Sequence, residues 1–245
     1  MMHDRLRRRL LDRIHRRYQT LTHGVKVGPI EFNITRIADP DRVLDQVAAE
    51  ADRREKSTGR RVTDDELHLP YWAELWDSAT GIGQFLVNLH CPLGTPPDNG
   101  HSLGNILDMG CGMGFAGTVA AALGGRVLFA DLETPALLFA AINSLPWRRQ
   151  VRTRRLDWRR DRLPERFDII LGADILYDQS QWPYLDHFWK EHVAPSGCVL
   201  LGEPGRQTGE LFIPWIEEHD WRFSQFEQPV PTRPRPIRIF RLSPL

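Results

Sequence analysis

The chain has 245 residues, 41% hydrophobic and 26% charged, and its 32 basic side chains are balanced by 32 acidic ones. That length suits one sizeable α/β domain with a peripheral extension, and zero net charge argues against bulk nucleic-acid binding while leaving room for a local basic patch. No apolar run approaches the roughly 18 residues that span a bilayer, no signal peptide opens the chain, and Cys91, Cys111 and Cys198 form neither a disulfide framework nor a zinc pattern, so a reduced cytoplasm is the expected setting, with no membrane.

Residues 2–20 read as a helix, because Leu6, Leu10, Ile14 and Tyr18 recur every four residues. Arg5, Arg7, Arg8, Arg9, Arg13, Arg16 and Arg17 surround that stripe. Such a helix can hold an acidic partner or RNA phosphates, but a solvated helix docking its apolar stripe on the domain is the preferred reading. Val25 to Ile37 alternates polar and apolar residues around Gly28-Pro29, which predicts a hairpin. Asp39-Pro40-Asp41 then caps a helix over 41–55, and polar residues 56–69 read as a surface loop. Residues 1–69 are thus an accessory extension, of a kind that in an enzyme covers the site or selects the substrate. Residues 70–245 form the main domain.

Pro70 opens a predicted helix reaching Leu89, with Trp72 and Trp76 on one face. Trp72 reads as core; Trp76 precedes small residues (Ser78, Ala79, Thr80, Gly81) that leave room for a ligand. A Pro/Gly/Asn-rich loop over 91–104 follows. Beyond it strands at 105–109, 126–131, 151–156, 167–173 and 197–202 alternate with helices at 115–124, 134–145, 181–193 and 208–219. The last two strands, 221–228 and 237–242, are joined by a proline-rich link too short for a helix and should pair antiparallel. The expected fold is α/β, a Rossmann-like doubly wound sheet of seven strands: five parallel, closed by a C-terminal antiparallel hairpin.

In such a sheet ligands bind beyond the carboxyl ends of the strands. The first central strand ends in Asp108-Met-Gly110-Cys111-Gly112-Met-Gly114 and opens a small-residue helix. Glycines there let bare backbone approach a ligand, and a helix N-terminus offers unpaired N–H groups. Asp131 ends the second strand, where ribose hydroxyls can be gripped. A carboxylate at Asp108, before a Gly-x-Gly-x-Gly spacing, suits the ammonium and sulfonium of S-adenosylmethionine better than the pyrophosphate of NAD. At the third strand end Asp157 can accept from an adenine amino group while Trp158 covers the ring. Asp174, after a mostly apolar fourth strand, sits where a carboxylate would face the cofactor's reactive end; its alternative role is a helix cap. No ligand cluster for a metal is evident, and none is needed for methyl transfer to nitrogen.

Pro70-Tyr-Trp-Ala-Glu-Leu-Trp-Asp-Ser-Ala79, Leu107-Asp-Met-Gly-Cys-Gly-Met-Gly114, Ala130-Asp-Leu132, Leu156-Asp-Trp158 and Leu171-Gly-Ala-Asp-Ile-Leu-Tyr177 together resemble a known family. They are similar to the seven-β-strand protein-lysine methyltransferases, the group acting on valosin-containing protein, chaperones and the electron-transfer flavoprotein β-subunit. The resemblance covers roughly residues 70–205. It implies that Trp76, Gly110, Cys111, Gly112, Asp131, Leu132, Trp158 and Ala173 contact the cofactor and that Asp174 and Tyr177 line the acceptor channel. A protein substrate follows, with lysine the first choice of acceptor and a monomeric enzyme expected. Relatives that methylate histidine, arginine or small amines keep the acceptor open.

Three rivals remain on the sequence. Nucleic-acid amino-methyltransferases usually show Asn/Asp-Pro-Pro-Tyr at the fourth strand end, whereas this chain has Asp174-Ile-Leu-Tyr177 without prolines; only the arginine-rich first helix keeps RNA in view. A non-catalytic module that binds the cofactor is disfavoured by intact Asp174 and Tyr177. A nicotinamide dehydrogenase is disfavoured by the glycine spacing.

Overall fold

Alternating side chains along the central strands decide the layering. The computed structural model describes residues 2–60, 70–90 and 102–245. In β3 (Asn105–Met109) and β4 (Arg126–Asp131), Ile106, Val127 and Phe129 face one side of the sheet while Leu107, Met109, Leu128 and Ala130 face the other. In β6 (Phe167–Ala173) and β7 (Val193–Glu203), Leu171 and Leu200 join the first set, and Ile170, Val199 and Leu201 the second. Helices α3 (Asp77–His90), α4 (Phe115–Ala122) and α5 (Thr134–Asn143) supply Ile82, Leu86, Phe115, Val119 and Ala140 to the first face. Helices α6 (Trp182–His192) and α7 (Gln207–Glu217) close the other with Leu185, Phe188, Trp189, Phe212 and Ile216.

With β5 (Val151–Arg155), β8 (Trp221–Gln228) and β9 (Ile237–Pro244), the strand order is β5-β4-β3-β6-β7-β9-β8. The first five strands are parallel, and β9 pairs antiparallel with both β7 and β8. The chain runs outward one way from β3 and the other way from β6, so a crevice must open beyond the carboxyl ends of these two neighbours.

The N-terminal elements pack on the first helical layer. In α1 (Met2–His15) the apolar stripe is buried at Leu10 and Ile14, against Phe139 and Ile142 of α5, while the seven arginines from Arg5 to Arg17 stay exposed. The helix stops at His15 rather than 20, because the strand-forming run from Thr20 begins β1 (Thr20–Val27) earlier than Val25. β1 pairs with β2 (Ile30–Ile37) across the two-residue turn Gly28-Pro29. The hairpin buries Val27, Phe32 and Ile34 in the same cluster as α3 and α4, each contributing about 1.5–3 kcal/mol. Helix α2 (Pro40–Thr58) has Asp39 as its cap, whose Oδ1 accepts the Arg42 N–H at 3.1 Å, and it ends at left-handed Gly59. It runs three residues past the expected 55; the rest of the polar loop, 61–69, and the loop residues 91–101 lie outside the described residues.

The helix expected from Pro70 to Leu89 is two elements. A 3₁₀ turn over Tyr71–Ala73 gives way to extended backbone at Glu74, and α3 starts at Asp77. Trp72 and Trp76 therefore do not share a helical face. Trp72 is buried against Tyr18 and Phe139, whereas Trp76 packs on Tyr71, to whose carbonyl its indole N–H donates at 2.8 Å, and both rings line one cleft. Two large rings with separate packing partners are better served by a break than by a continuous helix.

Candidate active site

A cleft of about 480 Å³ opens where the strand order reverses, within the size range of small-molecule sites. Its floor is the glycine turn after β3. Gly110 has φ +63°, a left-handed conformation costly for a residue with a Cβ, and a Cβ there would lie 3.1 Å from Ile175 and 3.6 Å from the Trp158 ring. The turn is tied to β4: the Cys111 N–H donates to the Ala130 carbonyl at 3.0 Å, and the Gly112 N–H donates to Asp131 Oδ2 at 2.9 Å. Asp131 Oδ1 accepts the Glu133 N–H at 2.9 Å. Burial drives the Asp131 carboxyl up to about 6 against those backbone donors. Each of its oxygens keeps a lone pair for a hydroxyl donor in the cleft.

Trp76, Gly110, Cys111, Gly112, Asp131, Leu132, Asp157, Trp158, Ala173, Asp174 and Tyr177 all line this cleft, from segments as far apart as residues 76 and 177. Trp158 donates its indole N–H to Gln181 Oε1 at 3.3 Å, which fixes the ring beside the glycine turn. Asp157 Oδ1 accepts the Arg159 N–H at 3.0 Å and its Nε at 3.3 Å, so this carboxylate is already shared with an arginine. Tyr177 is half exposed, edge-on to Tyr71 at 5.6 Å between ring centroids. Burial raises its phenol above the ordinary range, so it remains a hydrogen-bond donor at neutral pH.

Asp108 and Gly114 do not line the cleft. Asp108 points into the protein, where its Oδ2 accepts the Gly117 N–H of α4 at 2.9 Å, and it is buried. It fastens the helix to the strand. Gly114 caps α4 at φ +75°, and a Cβ there would fall 2.6 and 2.7 Å from the Cβ and Cα of Ala140. Its role is close helix packing. Burial lifts the Asp108 carboxyl to about 7, from about 3.9 for an ordinary aspartate. The unfolded chain ionises first, so stability is lost as pH rises from about 4 through 7. Asp108→Asn keeps an acceptor for Gly117 and removes the buried charge. It is expected to stabilise the fold by about 2 kcal/mol at pH 8 and not at pH 4.5, as urea unfolding at the two pH values will read.

The sequence reading missed several lining residues: Tyr71, Leu75, Met113, Glu133, Leu156 and Gln181. It also missed Arg206, whose guanidinium forms a bidentate pair with Asp174, Nε to Oδ1 at 2.8 Å and Nη2 to Oδ2 at 2.6 Å. Asp174 sits at the end of β6 with φ +56°, an unusual conformation for a non-glycine residue, and its N–H donates to the Gly202 carbonyl at 2.9 Å. Burial pushes its carboxyl up and the Arg206 bonds oppose that rise. The alternative of a helix cap is not what the structure shows: the 3₁₀ turn before α6 is capped by Asp178. Among the described residues the cleft is lined only from Tyr71 onward.

The strand order, the glycine turn opening α4 and the carboxylate ending β4 define the class I methyltransferase fold. Solved structures agree on it: a TehB-like S-adenosylmethionine-dependent methyltransferase from Corynebacterium glutamicum superposes with TM-score 0.50 at 19% identity, covering 84% of this chain and 100% of that one. The glycopeptide N-methyltransferase MtfA does so with TM-score 0.53 at 14% identity, covering 69% and 91%. The chain belongs to the lysine methyltransferase family, whose pattern matches residues 61–219. It is 34% identical over 149 residues to the Danio rerio protein N-lysine methyltransferase METTL21A, covering 58% of this chain and 64% of that protein. It is also 29% identical over 150 residues to the Xenopus laevis electron transfer flavoprotein beta subunit lysine methyltransferase, covering 56% and 53%. The chain thus spans less than two thirds of the length of these curated relatives.

Proposed function

We propose that the chain transfers a methyl group from S-adenosylmethionine to a lysine side chain of a protein substrate. The observation that carries this reading is Asp174, a carboxylate held in left-handed backbone at the lip of the cleft that also contains the glycine turn and Asp131, in a chain of the lysine methyltransferase family.

The cleft suits the cofactor in its donor chemistry. Asp131 would accept from the ribose hydroxyls, Leu132, Leu156 and Trp158 would enclose the adenine, and the bare backbone at Gly110–Gly112 would admit the amino-acid end. When bound, the cofactor supplies an electrophilic methyl carbon on a sulfonium. The chain's own task is to aim an amine at it. A lysine has a reference pKa near 10.4, so presenting it neutral at pH 7 costs about 4–5 kcal/mol. Desolvation in the cleft lowers that pKa, and a bare Asp174 carboxylate would raise it. Asp174 and the Tyr177 hydroxyl would therefore orient the nitrogen, with the proton passing to water, rather than act as a strong base. Alignment of this kind supplies several kcal/mol.

The test is transfer of labelled methyl from S-adenosylmethionine into a cell lysate, followed by protease or nuclease digestion. Discrete label removed by protease supports the reading. Label removed by nuclease sinks it and points to the arginines of α1. Label in neither fraction, with cofactor binding intact by calorimetry, also sinks it and moves the acceptor to small molecules.

A further inference from the structure

Asp174 does not meet the cleft alone. The loop after β7 carries Arg206, immediately before α7, and its side chain reaches back to clamp both carboxylate oxygens at 2.8 and 2.6 Å. The guanidinium also lies 5.8 Å from the centroid of the Trp76 ring, at the cleft wall. The loop itself is fixed from beneath. Buried Glu203 accepts the backbone N–H groups of Gly205 at 2.8 Å and Arg206 at 2.5 Å, and Arg238 from β9 is bonded to Glu203 in turn. Arg233, from the β8–β9 connection, donates to the Pro204 carbonyl at 2.6 Å. A long arginine on a loose loop would be a surface ion pair of little consequence. This one is a planar fork on a braced loop, bonded to a carboxylate whose side chain is only 6% exposed.

We propose that Arg206 is a positioning residue for methyl transfer: it holds Asp174 ionised and oriented while balancing its charge, so the acceptor amine can be aligned by that carboxylate without being held protonated. The inference rests on the proposed lysine methyl transfer. Two N–H bonds occupy one lone pair on each oxygen and leave the other for an amine hydrogen. An amine beside the pair then meets an ion pair of no net charge instead of a bare anion, and desolvation is free to lower its pKa. Among the described residues, the other charged or titratable groups facing Asp174 are Glu203, which ends β7, and Arg233, from the β8–β9 connection, with the phenol of Tyr177 on its own segment. Glu203 is already paired with Arg238, which leaves Arg206 as the direct partner.

The experiment uses the full chain, as wild type, Arg206→Gln and Arg206→Lys, with S-adenosylhomocysteine bound for the NMR titration and labelled S-adenosylmethionine in its place for the rate. Carbon-13 NMR, with Asp174 assigned through Asp174→Asn, follows its carboxyl titration; the initial rate of labelled methyl transfer to lysate protein is measured against pH. In Arg206→Gln both the carboxyl titration and the acidic limb of the rate profile should move up by roughly one pH unit or more, a roughly tenfold slower rate below the limb. A proton retained on the carboxyl or on the amine moves the limb in the same direction. Arg206→Lys restores the charge but not the fork, and should bring both most of the way back; a purely structural role would not be rescued in this way. An unmoved carboxyl titration overturns the proposal, and so does a shifted titration with an unmoved rate profile. Arg206→Gln faster than wild type at every pH would also overturn it, by showing that the arginine obstructs the acceptor. Absence of label in wild type would instead count against the lysine reading, while the NMR titration still decides whether Arg206 controls Asp174.

Discussion

Asp174→Asn is expected to lower single-turnover methyl transfer about 10²–10³-fold, the range seen when one preorganised electrostatic group is removed from a reacting centre. Affinity for S-adenosylhomocysteine should stay nearly unchanged, because the ribose and adenine contacts proposed for Asp131, Leu132 and Trp158 lie on other strand ends. The substitution is a clean probe of charge. Asparagine tolerates left-handed backbone as well as aspartate does, so the φ of +56° at this position adds no new strain. What changes is the pairing with Arg206: an amide offers one acceptor oxygen where the guanidinium now meets two, and its NH₂ would face a donor. The acceptor amine loses its alignment and meets an uncompensated cation. Rapid-quench measurement of the first turnover, beside calorimetry of cofactor binding, separates the two effects. Wild-type turnover in the variant would remove Asp174 from the mechanism.

The parts of this molecule legible in the sequence are those governed by local rules. Short apolar runs bounded by glycine, proline and polar residues mark the four inner parallel strands, because a strand buried on both faces needs no periodicity of its own; the edge strand β5, Val151-Arg-Thr-Arg-Arg155, is polar and largely exposed. The link over 229–236 is too short for a crossover helix, and β9 accordingly pairs antiparallel with β7 and β8. The glycine turn and Asp131 are legible because one unit, strand–turn–helix–strand, brings them together. Asp108 carried the right signal for the wrong reason. A carboxylate before a glycine turn can face a ligand or tie down the following helix, and only the side-chain direction decides; here it turns inward to Gly117. The 70–89 segment misled because a four-residue spacing of tryptophans satisfies a helix on paper, while Trp72 and Trp76 pack on different partners, Tyr18 and Phe139 for the first and Tyr71 for the second. Arg206 left no signal at all. It stands 32 residues from Asp174, in a Pro-Gly-Arg loop indistinguishable by composition from any other turn, and sequence spacing says nothing about which strand ends become neighbours across a sheet.

The brace beneath Arg206 should be where stability and function part company. Glu203 and Arg238 stand opposite each other across β7 and β9, with Arg238 Nε donating to Glu203 Oε2 at 2.6 Å and side-chain exposures of 2% and 12%. Removing one member of such a pair leaves a buried charge without its partner, so Arg238→Ala is expected to cost about 3–5 kcal/mol of unfolding free energy in denaturant titration. Removing both charges is a different case, since neutral replacements of similar volume can be nearly isoenergetic. The double variant Glu203→Gln, Arg238→Met should therefore recover most of the lost stability. It should not recover full activity. A glutamine oxygen can still accept one N–H from the loop, but the two bonds that now hold Gly205 and Arg206 require both carboxylate oxygens. With the loop loosened, Arg206 would hold its fork on Asp174 for less of the time. The double variant should then be stable yet slow, with an acidic limb displaced upward as in Arg206→Gln. A double variant that regains stability and wild-type kinetics together would show that Asp174 needs no brace; one that regains neither would place the importance of Glu203 in folding alone.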